Sequence, residues 1–236
     1  MAQLSPMMTQ YLETKKQYPD CILFYRLGDF YEMFFEDALT ASRELEITLT
    51  GKDCGLEERA PMCGVPYHAL EGYLSKLVQK GYKVAIGEQV EDPKTAKGLV
   101  KREVIRVVTP GTITNSQALE ESKNNYLMGI VYTDGIFGIS VADVSTGDYL
   151  VTEVKSERNL IDEIYKFSPS EIICNEAFYM SGIDLDDLKN RLHAVISDLD
   201  NRFFSDEFCR KLLRDHFHVE NLEGLGLSDY ETGTIA

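Results

Sequence analysis

Leu27-Gly28-Asp29-Phe30-Tyr31-Glu32-Met33-Phe34 crowds aromatic and acidic side chains into one short stretch. It follows an apolar run, Cys21-Ile22-Leu23-Phe24-Tyr25, that reads as a buried strand. Gly28 and Asp29 read as a break and a helix cap, which predicts a helix from about Asp29 to Leu45. A residue at such a junction can point off the fold. Phe30 is then a free aromatic wedge with the Glu32 carboxylate beside its tip. An apolar side chain pushed between base steps unstacks and kinks a duplex at a cost of a few kcal/mol per step. That cost is least where the bases are mismatched or unpaired, so a wedge beside a hydrogen-bonding carboxylate would test for weak pairing. The second reading places Phe24, Phe30, Phe34 and Phe35 together in a core, as aromatic residues at helical spacing usually are. The residues alone leave both open.

Outward from this stretch the pattern is mixed. Ser5-Pro6 is a capping residue followed by proline at the first helical position, and opens a helix running to about Lys16. Short strands are expected at 46–50, 83–90 and 103–109, with a polar loop over 51–60. An amphipathic helix covers 68–80, with Leu70, Tyr73, Leu74, Leu77 and Val78 on one face and Gly81 at its end. Residues 110–124 are polar and rich in turn formers. After them come strands at 126–133, 137–144 and 149–154, separated by Asp134-Gly135 and Gly147-Asp148, strong hairpin signals. Helices are expected at 158–167, 185–192 and 206–217, and strands at 171–174 and 194–197. This predicts an α/β protein in two parts: a mixed-sheet domain over 1–112, a linker over 113–124, and a domain over 125–236. Three antiparallel strands followed by alternating helix and strand is the order of a ribonuclease-H-like fold.

A chain of 236 residues, 44% of them hydrophobic, suits two cored domains. No stretch is long and apolar enough to span a membrane, and Met1-Ala2-Gln3-Leu4-Ser5-Pro6 does not read as a signal peptide. Cys21, Cys54, Cys63, Cys174 and Cys209 are widely spaced with no Cys-x-x-Cys, as expected of free thiols in a reducing cytosol. The net charge of −15 is unevenly placed: residues 1–115 carry 14 Lys+Arg against 16 Asp+Glu, net −2, and the remainder is net −13. Affinity for nucleic acid is largely phosphate neutralisation. Any DNA contact therefore belongs to the first half, and the acidic half suits protein docking.

Several segments carry a resemblance. Phe24-Tyr25-Arg26-Leu27-Gly28-Asp29-Phe30-Tyr31-Glu32-Met33-Phe34, Pro61-Met62-Cys63-Gly64-Val65-Pro66-Tyr67-His68-Ala69 and Tyr73-Leu74-Ser75-Lys76-Leu77-Val78 resemble the MutS family of DNA mismatch-repair proteins. So do Val84-Ala85-Ile86-Gly87-Glu88-Gln89-Val90-Glu91-Asp92-Pro93 and Arg106-Val107-Val108-Thr109-Pro110-Gly111-Thr112, in the family's order. The second half matches more loosely. The resemblance implies a mismatch-recognition domain followed by a ribonuclease-H-like connector domain. Phe30 and Glu32 would be the mismatch-reading pair, and the ligand would be mismatched double-stranded DNA. It implies a MutL-like partner on the connector and a homodimer for the whole protein, in the bacterial cytosol at the nucleoid. ATP and Mg²⁺ belong to an ATPase region of the whole protein. No Gly-x-x-x-x-Gly-Lys-Ser/Thr loop occurs in this sequence. The expectation is an N-terminal piece, truncated near the end of its connector, with no catalysis and no cofactor of its own.

Other residues carry weaker signals. Lys52, Arg59, Lys94, Lys97, Lys101, Arg102 and Arg106 would hold phosphates, which position a duplex without reading its sequence; the alternative is a solvated surface. Leu27 and Met62 are candidate apolar neighbours of the wedge, or core. Asp134, with Glu163, Asp198 and Asp200, suggests a rival reading as a metal-dependent nuclease, which needs carboxylates converging on a metal pair. An Asp-Gly hairpin turn explains Asp134 more simply. His68, His193, His216 and His218 show no ligand spacing, so no metal is expected.

Overall fold

The computed structural model describes residues 4–91, 98–114 and 124–236. They form two compact α/β units that part between Thr109 and Pro110.

The first unit opens with α1 (Pro6–Gln17), whose N-cap Ser5 accepts from the Met8 N–H. There follow β1 (Cys21–Leu27), β2 (Phe30–Phe34), α2 (Phe35–Leu45), β3 (Thr50–Lys52), β4 (Ala60–Pro66), α3 (Leu70–Gln79), β5 (Lys83–Gln89) and β6 (Arg102–Val108). They build one six-stranded sheet in the order β3-β4-β2-β1-β5-β6, in which only β1 and β5 run parallel. The expected helix from Asp29 is corrected here: residues 30–34 are a strand, and the helix begins at Phe35. Leu27 pairs directly with Phe30, so Gly28-Asp29 is a two-residue hairpin loop and not a helix cap. Gly28 has φ +58°, as the first central position of a type II′ turn requires. Likewise the strand expected at 46–50 is displaced to Thr50–Lys52, because Glu46 ends α2 in the left-handed conformation.

The inner strands β1 and β5 are buried on both faces along most of their length, so they lack a simple alternation. One face packs on α1 through Met8, Tyr11, Leu23, Tyr25, Phe34 and Ala85. A polar knot fixes the register: the buried Asp37 carboxylate accepts from the Tyr11 hydroxyl (3.1 Å), the Leu23 N–H (3.0 Å) and Lys15 Nζ (2.9 Å). The helix α1 and the strand β1 are thereby tied to α2 at one point, and burial, with the nearby Asp37 charge, pushes the Tyr11 hydroxyl pKa well up.

The second unit contains β7 (Tyr126–Thr133), β8 (Ile136–Asp143), β9 (Asp148–Val154), α4 (Glu157–Phe167), β10 (Glu171–Cys174), α5 (Glu176–Tyr179), α6 (Leu185–Leu192), β11 (Val195–Asp198), α7 (Asp206–Phe217) and α8 (Glu231–Ile235). The sheet order is β11-β10-β7-β8-β9, with β7, β8 and β9 antiparallel and β10 and β11 parallel to β7. This is the ribonuclease-H-like arrangement. One core holds Met128, Ile130, Ile139, Val141, Leu160, Ile164, Ile172 and Phe178. Residues 110–114 belong to this unit although a linker was expected from 113. Asn125 donates to the Pro110 carbonyl (2.8 Å), Gly111 N–H donates to the buried Glu171 carboxylate (3.1 Å), and Ile113 is buried. In α8, Thr232 and Thr234 are buried, and a side chain on Gly138 would collide with the Thr232 carbonyl. Gly129 likewise leaves room for the Ala236 carbonyl. Among the described residues no helix is long and apolar enough to cross a membrane.

Candidate nucleic-acid interface

Side chains of directly paired residues in an antiparallel ladder lie on the same face. Phe30 pairs with Leu27 and Pro66, Glu32 with Tyr25 and Gly64, and Phe34 with Met62. Phe30, Glu32 and Phe34 therefore point the same way at successive steps along β2. Their environments differ sharply. Phe34 is 1% exposed, beneath α1, while Phe30, two steps beyond the cover, is 46% exposed. Glu32 lies between them, half-buried. A large aromatic ring thus stands on a rigid strand with a carboxylate one step behind it.

The partners leave room for this pair. A Cβ on Gly64 would sit 3.4 Å from Glu32 Cγ and 3.3 Å from the Tyr31 carbonyl, tighter than ordinary contact. Lys52, on neighbouring β3, ion-pairs with Glu32, and its ammonium lies 5.5 Å from the centre of the Phe34 ring. The charge of Glu32 is therefore balanced until another donor replaces Lys52.

The remaining expected contacts do not all gather here. Leu27 and Met62 share the face but are half-buried, packed against the edge of the core under α1. Arg59 is exposed, with its Cβ close to Gly51 of β3. Lys101 is exposed and paired with Glu103 at 2.5 Å. Arg106 pairs with Ile86, so it lies on the opposite face, against Glu71 of α3 at 3.5 Å. The expectation for Arg102 is corrected. It is only 9% exposed, donating to the carbonyls of Arg26 (2.6 Å) and Val100 (2.8 Å) and to Gln10 (3.2 Å), with Tyr25 beneath its guanidinium. Its donors are committed inside the fold. Lys94 and Lys97 lie outside the described residues. Arg26 and Tyr67, beside the hairpin loop, carry no role in the sequence analysis; Gly28-Asp29 taken as a two-residue hairpin loop instead of a helix cap would have drawn attention to the residues that flank it.

The carboxylates of the nuclease reading do not converge. Asp134 is exposed in the β7–β8 turn with φ +49°, Glu163 pairs with Lys166 and Asp200 with Arg202. Among the described residues no three His, Cys, Asp or Glu side chains form a group able to hold a metal ion. All five cysteines are free and buried.

An exposed aromatic and a carboxylate thus share one strand of a mixed α/β unit, and a ribonuclease-H-like unit follows it in the chain. Family models for MutS domain I and MutS domain II match residues 5–117 and 125–235. The chain belongs to the MutS family. It is 66% identical over 236 residues to the DNA mismatch repair protein MutS of Lachnoclostridium phytofermentans, covering all of this chain and 25% of that protein. It is 59% identical over 220 residues to that of Acetivibrio thermocellus (92% of this chain, 25% of the relative). With the MutS of Clostridioides difficile it shares 53% over 232 residues (97% and 24%). The chain therefore spans about a quarter of the length of these relatives.

Proposed function

We propose that this chain recognises mispaired bases in double-stranded DNA, with Phe30 as the stacking wedge and Glu32 as the acceptor that interrogates the base. The observation that carries the reading is the contrast along β2: of two phenylalanines on one face, Phe34 is enclosed and Phe30 stands out beside a carboxylate. An exposed ring on a strand loses little freedom on stacking, and base–aromatic stacking contributes about 1–3 kcal/mol per base. At a paired step the unstacking cost of a few kcal/mol consumes that gain; at a mispair the bases are already loosened. Glu32 accepts a hydrogen bond only from a base that can turn an N–H toward it, and its charge opposes the phosphates of an intact duplex. Arg59 and Lys101 supply phosphate contacts, Lys52 being held by Glu32, and we assign Lys94 and Lys97 the same part as Arg59 and Lys101.

The second unit we read as a connector that docks a MutL-like repair partner through its acidic surface. The whole protein would act as a homodimer in the cytosol at the nucleoid, binding ATP with Mg²⁺ outside these two domains. The residues here do not suit that cofactor, having neither a phosphate loop nor, among the described residues, an acidic metal cluster. We propose no catalytic step in this chain.

The test is Phe30→Ala beside Phe34→Ala, in the protein extended to the length of its relatives. Phe30→Ala should lower the heteroduplex-to-homoduplex affinity ratio by about 5- to 150-fold. It should cost about 1 kcal/mol of stability, since only half the ring is buried. Phe34→Ala should cost about 3–5 kcal/mol. Equal destabilisation by the two changes, with mismatch preference intact after Phe30→Ala, would falsify the assignment.

A further inference from the structure

On the face of the sheet opposite Phe30, the hairpin end carries a second cluster. Arg26 and Tyr31 are cross-strand partners one step from the Leu27–Phe30 pair. The Arg26 Nε–H donates to the Gly28 carbonyl at 2.5 Å. Its guanidinium lies 4.0 Å from the centre of the Tyr67 ring and 5.5 Å from that of Tyr31. Glu88 of β5 faces the guanidinium at 3.7 Å and accepts from the Tyr31 hydroxyl at 2.6 Å. Burial, with that bond to Glu88, pushes the Tyr31 hydroxyl up to about 12. The backbone N–H of Tyr67, just beyond β4, donates to the Asp29 carbonyl at 2.9 Å.

The loop that carries Phe30 has two central residues, Gly28 and Asp29, and both their carbonyls are held: one by the Arg26 side chain, the other by the Tyr67 backbone. Neither bond touches the Phe30 ring. A hairpin end closed by a glycine is otherwise free to twist about its last pair, because glycine tolerates many conformations. We propose that Arg26 and Tyr67 are positioning residues for Phe30: they lock the Gly28-Asp29 turn so that ring insertion does not first have to order its backbone. Arg26 suits the task because its planar group can stack on a ring and donate at a fixed angle in one pose, which lysine cannot. The Glu88 carboxylate balances its charge on the side away from the wedge face. This inference rests on the reading of Phe30 as the wedge.

The chain contains no tryptophan, so Phe30→Trp introduces a single indole at the ring position. Its anisotropy decay, measured on the 236-residue protein without DNA, reports the local motion of that side chain. Arg26→Lys and Tyr67→Ala in this background should both enlarge the fast depolarising component. Tyr67→Phe, which keeps the ring and the backbone N–H, should leave it as it was. Titration of Arg26→Lys, with Phe30 retained and the protein extended to the length of its relatives, should show heteroduplex affinity reduced by about 5- to 30-fold, the ordering cost of one residue. Homoduplex affinity should be unchanged, since the positive charge is kept. An unaltered fast component in Arg26→Lys and Tyr67→Ala would overturn the proposal, as would an equal loss of affinity for both duplexes. The decay needs no DNA, so failure of positioning is read separately from failure of the wedge, which Phe30→Ala reports.

Discussion

The pairing of Glu32 with Lys52 makes a prediction about salt as well as about affinity. In Glu32→Ala the Lys52 ammonium loses its counter-charge while staying on the face that carries Phe30. Freed, it can neutralise one phosphate, and each neutralised phosphate adds about −0.9 to the slope of log K against log salt. At salt near 0.1–0.15 M that single contact is equivalent to about five- to eightfold tighter binding of perfectly paired DNA. Mismatched DNA gains the same contact but loses a hydrogen bond to a charged acceptor, about 1.5–3 kcal/mol. Discrimination should therefore fall by roughly 10- to 150-fold. Stability should hardly move, because partly exposed ion pairs contribute only about 0–1 kcal/mol. Fluorescence titrations of both duplexes across a salt series, on the protein extended to the length of its relatives, measure all of this. Glu32→Ala combined with Lys52→Met should restore the original slope. If Glu32→Ala leaves the slope unchanged, or the double variant keeps the steeper one, Lys52 is not the group released and the reasoning fails.

The 236-residue chain by itself should bind heteroduplex weakly at physiological salt, given its net charge of −15; nanomolar affinity in a direct titration would contradict this. Gly138→Ala should destabilise the second unit by about 1–3 kcal/mol, read by urea melting, because the added methyl meets the Thr232 carbonyl; a neutral result would mean that α8 is not seated as described. Burial pushes the thiols of Cys63 and Cys174 up from 9.0 to about 12, so folding favours their protonated form. Their contribution should be complete below pH 9 and be lost as pH rises toward 12, and native protein at pH 8 should react slowly with a thiol reagent; rapid labelling of all five would refute the burial. The Asp143 carboxylate is buried, which alone would raise its pKa, but donors from Ser145, Asn125 and Thr146 outweigh this and hold it low. Asp143→Asn should therefore lessen the stability lost on acidification through the ordinary carboxylate range, as followed by circular dichroism; an unchanged acid limb would exclude that role.

What the sequence discloses depends on how local the cause is. The strand at 171–174 and the helices at 185–192 and 206–217 follow from short-range patterning and appear at those residues. The Asp134-Gly135 turn is equally local, both residues having positive φ. The strand at 30–34 is hidden because Tyr31, Met33 and Phe34 are buried on both faces, so no clean alternation survives. The loop Gly28-Asp29 held the answer, since glycine followed by aspartate between apolar runs is as good a hairpin signal as a cap. Phe30 and Glu32 were legible as a pair, but their partner Lys52 was not, because β3 is placed by pairing with β4 and not by its own three residues. Arg102 looked like a surface cation; its partners, Arg26 and Gln10, are remote in sequence. The helix α8 contains a glycine and two threonines and is poor by propensity; it exists because a groove of the right depth receives it.

That groove has a consequence for the order of events during synthesis. The sheet of the first unit is complete once Val108 has emerged, whereas the second stays uncovered over Gly129 and Gly138 until its last residues have been made. At 5–20 residues per second the interval is about 6–25 s. Throughout it the unit bearing Phe30 can be folded while its neighbour still exposes strands. Nascent chains halted before residue 231 should accordingly show a protease-resistant first unit and a sensitive second one, and equal resistance in both would show that α8 is dispensable for closure.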